Sequence, residues 1–276
     1  MTVLKLSESF QANHLIGLKH LSGRDQFKNY VQTDVPFIGL VKAIKTILAE
    51  DQHIVIRGLI NNSDMFFEAF IEEFGLYYGA IERTGIKLDC NYTGCNRKAL
   101  DLHNDDAIDV DTQPKFGFIQ VTRPDPVLKV YNGVVIIQDV VRKLKFENPK
   151  LLEALLTKSV PMLSYGVNYI SGQKDEITIN EPILYFKNGS YHVRFDDSRI
   201  AHYYYKKGLK QSYQELDMIE SFIKVAHNVK HVYHLECGDV IIVNNLTTLH
   251  DRTECSLEMN LNGSFNTREI MVSFAR

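Results

Sequence analysis

Cysteine is scarce, with four in 276 residues. Cys90, Cys95, Cys237 and Cys255 are irregularly spaced, and Cys90 and Cys95 miss the C-x-x-C interval of a zinc knuckle. That excludes a disulfide-stapled scaffold and leaves free thiols in a reducing compartment. Long apolar runs are absent too: none reaches the roughly 18 residues a membrane span needs. Residues 1–8 lack the basic-then-apolar pattern of a signal peptide. A cytoplasmic protein with no membrane partner is expected. There is no excess of positive charge: the formal net charge is -3, which argues against a nucleic-acid partner. No glycine-rich phosphate loop follows a strand, against a doubly wound nucleotide-binding fold. No H-E-x-x-H helix offers the base a zinc hydrolase would need beside its metal water. Repeats, low-complexity tracts and linkers are missing as well. With 45% hydrophobic residues, the expectation is one domain spanning residues 1–276.

What is present is patterned. Phe37, Leu40, Val41, Ile44, Ile47 and Leu48 fall at helical spacing behind Pro36, predicting a helix over 36–49. Residues 53–59 predict a buried strand ended by Gly58. Ser63 is placed to cap a helix that carries Met65, Phe66, Ala69, Phe70 and Phe74. Beyond residue 115 strands dominate: 116–121, the β-branched run 128–137, then 167–170, 177–179, 183–186 and 191–195. A helix over 149–158 interrupts them. Ser212 and Glu215 form a capping box before a helix with Leu216, Ile219, Phe222, Ile223 and Ala226 on one stripe. Strands close the chain at 231–235, 240–243 and 269–274. The tyrosines Tyr203, Tyr204 and Tyr205 read as half-buried strand or loop, or as part of a lid. Many short strands with helices in front and inserted predict an α+β, mainly β architecture. Its core would be a double-stranded β-helix, the jelly roll, with flanking helices.

The chemistry centres on Leu102-His103-Asn104-Asp105-Asp106. In an extended segment His103 and Asp105 point to the same face. His250, directly past the apolar strand 240–243, is the candidate third ligand. Two histidines and one carboxylate on one face of a metal, with other positions open, is the non-haem Fe(II) oxygenase arrangement. The alternative reading of the triplet is an acidic, solvated loop with a stray histidine, since Asp106, Asp109 and Asp111 follow it. Arg268, opening the last strand, has the fork geometry to clamp a carboxylate.

Taken in order, these motifs carry a resemblance. H-x-D, then the G-D-x-x-x-x-N-N-x-x-x-x-H-x-R-T run over 238–253, then Arg268, resembles the TauD and clavaminate synthase-like family of Fe(II)/2-oxoglutarate dioxygenases. Val55-Ile56-Arg57-Gly58-Leu59 and the 118–126 strand and turn are similar to the family as well. The resemblance implies Fe(II) as cofactor and 2-oxoglutarate and O2 as cosubstrates. His103, Asp105 and His250 would be the iron ligands and catalytic core, and Arg268 would hold the distal carboxylate of 2-oxoglutarate. Two departures stand out: position 272 is valine where the family often has a second arginine, and the strand 131–137 lacks the threonine that often shares the cosubstrate carboxylate. The implied reaction is hydroxylation of an unactivated C–H bond of a small molecule. Asp105, a carboxylate rather than a small residue, favours hydroxylation or desaturation over halogenation. The 194–199 segment lies between predicted strands, and it resembles the region where the family's amino-acid hydroxylases read a basic side chain. Arg194, Asp196 and Asp197 are therefore candidate substrate contacts, with Asp106 facing the substrate amine. A free, basic amino acid is the expected substrate. A sulfonate or other small acid, or a non-catalytic jelly-roll binding protein, are the alternatives.

Overall fold

The computed structural model describes residues 2–61, 63–86, 96–107, 113–167 and 174–276. Its helices are α1 Glu8–Lys19, α2 Arg24–Thr33, α3 Val35–Asp51, α4 Asp64–Glu72, α5 Ile137–Glu147, α6 Pro149–Thr157, α7 Asp197–Lys207 and α8 Tyr213–Asn228. Its first eight strands are β1 Val3–Lys5, β2 His53–Arg57, β3 Tyr77–Gly85, β4 Leu100–His103, β5 Phe116–Arg123, β6 Tyr131–Ile136, β7 Ser159–Val167 and β8 Lys174–Pro182. The others are β9 Leu184–Lys187, β10 Ser190–Val193, β11 His231–His234, β12 Val240–Asn244, β13 Thr248–Arg252, β14 Leu257–Met259, β15 Phe265–Thr267 and β16 Glu269–Ala275. The fold is mixed α/β with substantial sheet and helix.

Local chemistry sets several helix starts. The Asp34 carboxylate accepts from the Phe37 amide at 3.0 Å and opens α3, with Pro36 in its first turn. Ser63 and Ser212 do the same for α4 and α8, accepting from Phe66 N at 3.4 Å and Glu215 N at 3.2 Å.

Two sheets organise the molecule. One runs β1-β2-β12-β5-β16-β3, the other β11-β6-β13-β4. Alternation along the strands divides their side chains into layers. From β2 and β12, Ile54, Ile56, Val240 and Ile242 pack against Phe37, Ile44, Phe66 and Phe70 of α3 and α4. Val55, Ile241 and Val243 point the other way and meet Val134 of β6 and Tyr233 of β11, so the sheets face each other. On the outer side of the smaller sheet, Leu102, Val135 and Leu249 lie against Val140, Leu144, Met218 and Phe222 of α5 and α8. The turn before β12 is anchored by Asp239, which is buried. It pairs with Arg57 and accepts from Gly58 N at 3.1 Å and Glu236 N at 2.8 Å.

Some expectations are corrected. The 128–137 strand stops at Ile136, and α5 follows without a loop. Ile137, Val140, Val141 and Leu144 then repeat at helical intervals and are buried. Tyr203, Tyr204 and Tyr205 are helical, within α7, whose Gly208 ends it in the left-handed region at φ 63°. The 194–199 segment joins a strand to that helix rather than to another strand. β1, α1 and α2 were not expected from the sequence. Most of the 167–170 strand expectation, together with Cys90, Cys95, Asp109 and Asp111, lies outside the described residues.

Candidate metal centre

β4 and β13 pair antiparallel, with His103 directly opposite His250. Because Leu102 and Leu249 face the helices, the neighbouring residues His103 and His250 face the space between the sheets. The two imidazole centroids are 4.3 Å apart. Asp105 follows the end of β4. Its Oδ2 lies 3.2 Å from His250 Nε2 and its Oδ1 3.8 Å from His103 Nε2. One donor atom from each residue lies within 4.8 Å of the other two. Donors each about 2.1 Å from one divalent ion stand about 3 Å apart at right angles and about 4 Å apart across it. The spacing therefore suits one shared cation.

The protonation chemistry suits it as well. His103 Nδ1 is 2.8 Å from the Asp101 carbonyl oxygen. A carbonyl only accepts, so Nδ1 carries the proton and Nε2 presents a lone pair toward Asp105. Burial, reinforced by His250, holds His103 below the usual imidazole value. Burial acts on His250 in the same direction, but the charge and hydrogen bond of Asp105 outweigh it and raise that imidazole. For Asp105, burial favours the neutral acid. The two histidines overcome this and bring it down to about 2, so the carboxylate is ionised. His250 is 7% exposed, and its Nδ1 has no hydrogen-bond partner.

Two asparagines fix the backbone that carries Asp105. Asn245 is fully buried, and its amide matches both backbone groups of Asp105. Oδ1 accepts from Asp105 N at 2.8 Å, and Nδ2 donates to Asp105 O at 2.9 Å and to Pro114 O at 3.0 Å. Asn104, between the two ligands, donates through Nδ2 to Val193 O at 3.2 Å and Asn245 O at 3.1 Å. Its Oδ1 accepts from Phe195 N at 2.8 Å. Gly117 of β5 runs beneath: a Cβ there would come 3.8 Å from Asp105 Oδ2. Asn245→Ala is expected to lower melting stability by about 2 kcal/mol and divalent-metal affinity by about 10- to 100-fold. Thermal melts and equilibrium dialysis with Fe(II) check this, and an unchanged affinity would contradict the positioning role.

Arg268 sits where the chain enters β16 and is 6% exposed. Its Nη2 donates to Asn132 Oδ1 at 3.2 Å, and it forms no ion pair among the described residues. Burial, with Arg252 adding to it, lowers its pKa to about 10. A buried guanidinium without a counter-anion is costly, and a carboxylate ligand would offset that. Asn132 stands opposite Arg252, and Val134 opposite His250, across β6 and β13. Arg268 is thus linked to the metal face through one sheet surface.

The other sequence-level candidates divide. Asp106, next to the metal ligand, adopts φ 48°, a region L side chains rarely occupy. Burial, with Asp105 beside it, raises its pKa. Asp196 makes an isolated bridge with His103, which brings the start of α7 against β4. Its carboxylate caps α7, accepting from Arg199 N at 3.2 Å and Ser198 Oγ at 2.6 Å, and holds Arg199 Nε at 2.9 Å. The Asp197 carboxyl is raised by burial and by Asp101, Asp196 and Glu220. Arg194 is 1% exposed and serves the β7–β8 ribbon. Its Nη2 donates to Val160 O at 2.9 Å and to Glu181 O. Sequence reasoning missed the roles of Asn104, Asn132, Asn245 and Arg199. The paired asparagines after β12 were the available signal for one of them, and the Asp-x-x-Arg interval of a helix cap for another.

No curated protein matches the chain. Solved structures with a similar fold include an asparagine oxygenase in complex with Fe(II), 3-hydroxyasparagine and succinate. It is 15% identical with a TM-score of 0.72, over 100% of this chain and 93% of that one. Another is the non-heme iron oxygenase OrfP in complex with Fe and alpha-ketoglutaric acid, 13% identical with a TM-score of 0.70, over 100% and 94%. OrfP in complex with Fe, succinate and (3S)-hydroxy-L-Arg is 12% identical with a TM-score of 0.71, over the same shares. At these identities the likeness is one of fold. Membership comes from the sequence: the family described as taurine catabolism dioxygenase TauD, TfdA family matches residues 33–263, and this chain belongs to it.

Proposed function

We propose that this dioxygenase hydroxylates an unactivated C–H bond of a free amino acid, using Fe(II), 2-oxoglutarate and O2. The observation that carries the reading is one inter-sheet surface bearing both His103, Asp105 and His250, with donors within 4.8 Å, and Arg268, buried and lacking an ion pair among the described residues. His103, Asp105 and His250 would hold the iron. Bound there, Fe(II) with 2-oxoglutarate and O2 supplies the oxidising power for the C–H bond, and the cosubstrate leaves as succinate and CO2. The rest is the work of side chains. Arg268 pairs with the distal carboxylate of 2-oxoglutarate and fixes its direction, with Asn132 holding the guanidinium. A two-residue step along a strand covers about 6.8 Å, and the end carbons of 2-oxoglutarate are about 5 Å apart. One such step separates His250 from the Arg252 and Asn132 pair. Val121, Val134, Ile241 and Val243 keep the adjoining inter-sheet space apolar.

On the substrate side, Asp106 faces the ammonium group, and the 194–197 segment with Arg194, Asp196 and Asp197 borders the pocket. Asp196 is already committed to Arg199. A basic side chain therefore falls to Asp197, whose charged neighbours Asp101, Asp196 and Glu220 are all acidic. The neighbours of similar fold that carry 3-hydroxyasparagine and hydroxy-L-Arg support an amino acid over a sulfonate. The two facing sheets are read as a jelly-roll core within a single domain, 1–276. A cytoplasmic setting and a small-molecule rather than nucleic-acid partner accord with the net charge of -3. Among the described residues no helix is long and apolar enough to cross a membrane.

Succinate release from 2-oxoglutarate, measured across the proteinogenic L-amino acids and taurine, tests the reading. One amino acid, basic or carrying a side-chain amide, is expected to stimulate release at least about tenfold. Stimulation by taurine alone would move the assignment to a sulfonate, and no stimulation by any amino acid would end it.

A further inference from the structure

We propose that Arg199 binds the carboxylate of the substrate, with Asp106 opposite it on the ammonium. The inference rests on the amino-acid reading above and adds the group that recognises the acid end. Arg199 lies in the first turn of α7, three residues past the Asp196 that bridges to His103. That bridge brings the helix start against the strand bearing the metal ligand. The side chain is one-quarter exposed, and its Nε is held 2.9 Å from Asp196 Oδ2. Asp196 is itself tied down by the Arg199 amide and the Ser198 hydroxyl. The guanidinium is thereby oriented through one nitrogen, while Nη1 and Nη2 have no hydrogen-bond partner among the described residues. Two parallel N–H groups on an oriented plane are the geometry that receives a carboxylate bidentately.

The direction in which Arg199 acts is visible in its neighbours. Its positive charge bears on both Asp105 and Asp106, so it stands at the rim of the metal centre rather than on the outer surface. Asp106 is half-buried, takes no hydrogen bond or ion pair among the described residues, and is held at φ 48°. Left-handed backbone at a non-glycine residue marks a position that the surrounding structure fixes against local preference. An α-amino acid carries an ammonium and a carboxylate on one carbon. Asp106 and Arg199 offer the opposite charges side by side, next to a metal ligand. Arg276 also bears on Asp106, but less strongly, and its guanidinium is stacked 3.8 Å over the Tyr78 ring. Of the two cations near Asp106, Arg199 therefore has the better claim.

The test uses the enzyme loaded with Fe(II) and 2-oxoglutarate. The amino acid that most stimulates succinate release, with L-asparagine and L-arginine tried first, is compared with its own α-amide. In the unaltered protein the free acid is expected to have a KM at least about 50-fold below that of the amide, the worth of a charge-assisted pair. Arg199→Met is expected to raise the KM for the acid by about the same factor while its kcat stays within about threefold and the KM for the amide does not move. Arg199→Lys should recover part of the difference. Calorimetric titration of the amino acid into the loaded enzyme without O2 gives the same comparison without turnover. Equal use of acid and amide by the unaltered enzyme overturns the proposal, as does an Arg199→Met variant with the original KM for the acid. If Arg199→Met does not fold, the acid-to-amide ratio of the unaltered enzyme decides alone. Failure of every amino acid to stimulate the unaltered enzyme is a separate result: it removes the function on which the inference rests.

Discussion

Replacing His250 with alanine is expected to reduce amino-acid-dependent succinate formation at least about 1,000-fold, the loss of metal-borne catalysis, while the protein remains folded. The reasoning is local. His250 contributes one of three donors that lie within 4.8 Å of one another, so its removal leaves His103 and Asp105 as a two-point site. It also removes the imidazole that does most to keep Asp105 ionised. The cost to the fold is small by comparison. His250 Nδ1 is buried without a partner, so the ring adds little polar satisfaction where it sits. β13 keeps its pairing with β6 through backbone bonds that alanine can make. Fe(II) dialysis should therefore show weakened binding, with a melting temperature within a few degrees of the parent protein. A variant that forms succinate at the normal rate would dissolve the assignment.

Arg268→Met is expected to act on the other half of the site. Its KM for 2-oxoglutarate should rise by about 100-fold, from the loss of a charge-assisted pair, with Fe(II) affinity unchanged. Stability is the second readout. Arg268 is buried, its pKa is pulled down to about 10 by burial first and by Arg252 as well, and its hydrogen bond is to a neutral amide oxygen, Asn132 Oδ1. Exchanging an unneutralised buried cation for an apolar side chain of similar length is often neutral or stabilising. The metal-free, cosubstrate-free variant should melt at or above the parent temperature. A lower melting point together with an unchanged KM would mean that Arg268 is structural. The two substitutions thus separate along different ligands: the first is seen in iron binding, the second in 2-oxoglutarate.

The parts of this molecule legible in its sequence are those whose signal is local. Ser63 and Ser212 announce α4 and α8 because a hydroxyl before an apolar stripe has a specific orphan amide to satisfy. β12 is legible because an unbroken β-branched run suits a strand covered on both faces. The metal ligands are legible because His103 and Asp105 share a short motif and His250 follows a recognisable strand. The junction of β6 and α5 is not, since Val134, Val135, Ile136 and Ile137 continue one apolar run through a change of structure. Only knowing that the strand stops at Ile136 reveals that Val140, Val141 and Leu144 follow a helical period. α7 is hidden by its three tyrosines, which are indifferent helix formers, although Asp196 and Gly208 mark its ends. Least visible are the partners that act across the fold. Asn245 and Asp105 are far apart in the chain, as are Asn132 and Arg268, and nothing local declares that one will hold the other.

The opposition of His103 and His250 across neighbouring strands has an evolutionary corollary. A single inserted or deleted residue inside 248–252 would swing His250 out toward the helical layer and bring Leu249 in, erasing the chelate while leaving a respectable strand behind. Point changes can be explored there one at a time, but length cannot. Divergence in what such an enzyme accepts is thereby channelled away from β13 and onto segments that can grow or shrink without disturbing the iron, among them the approach to α7.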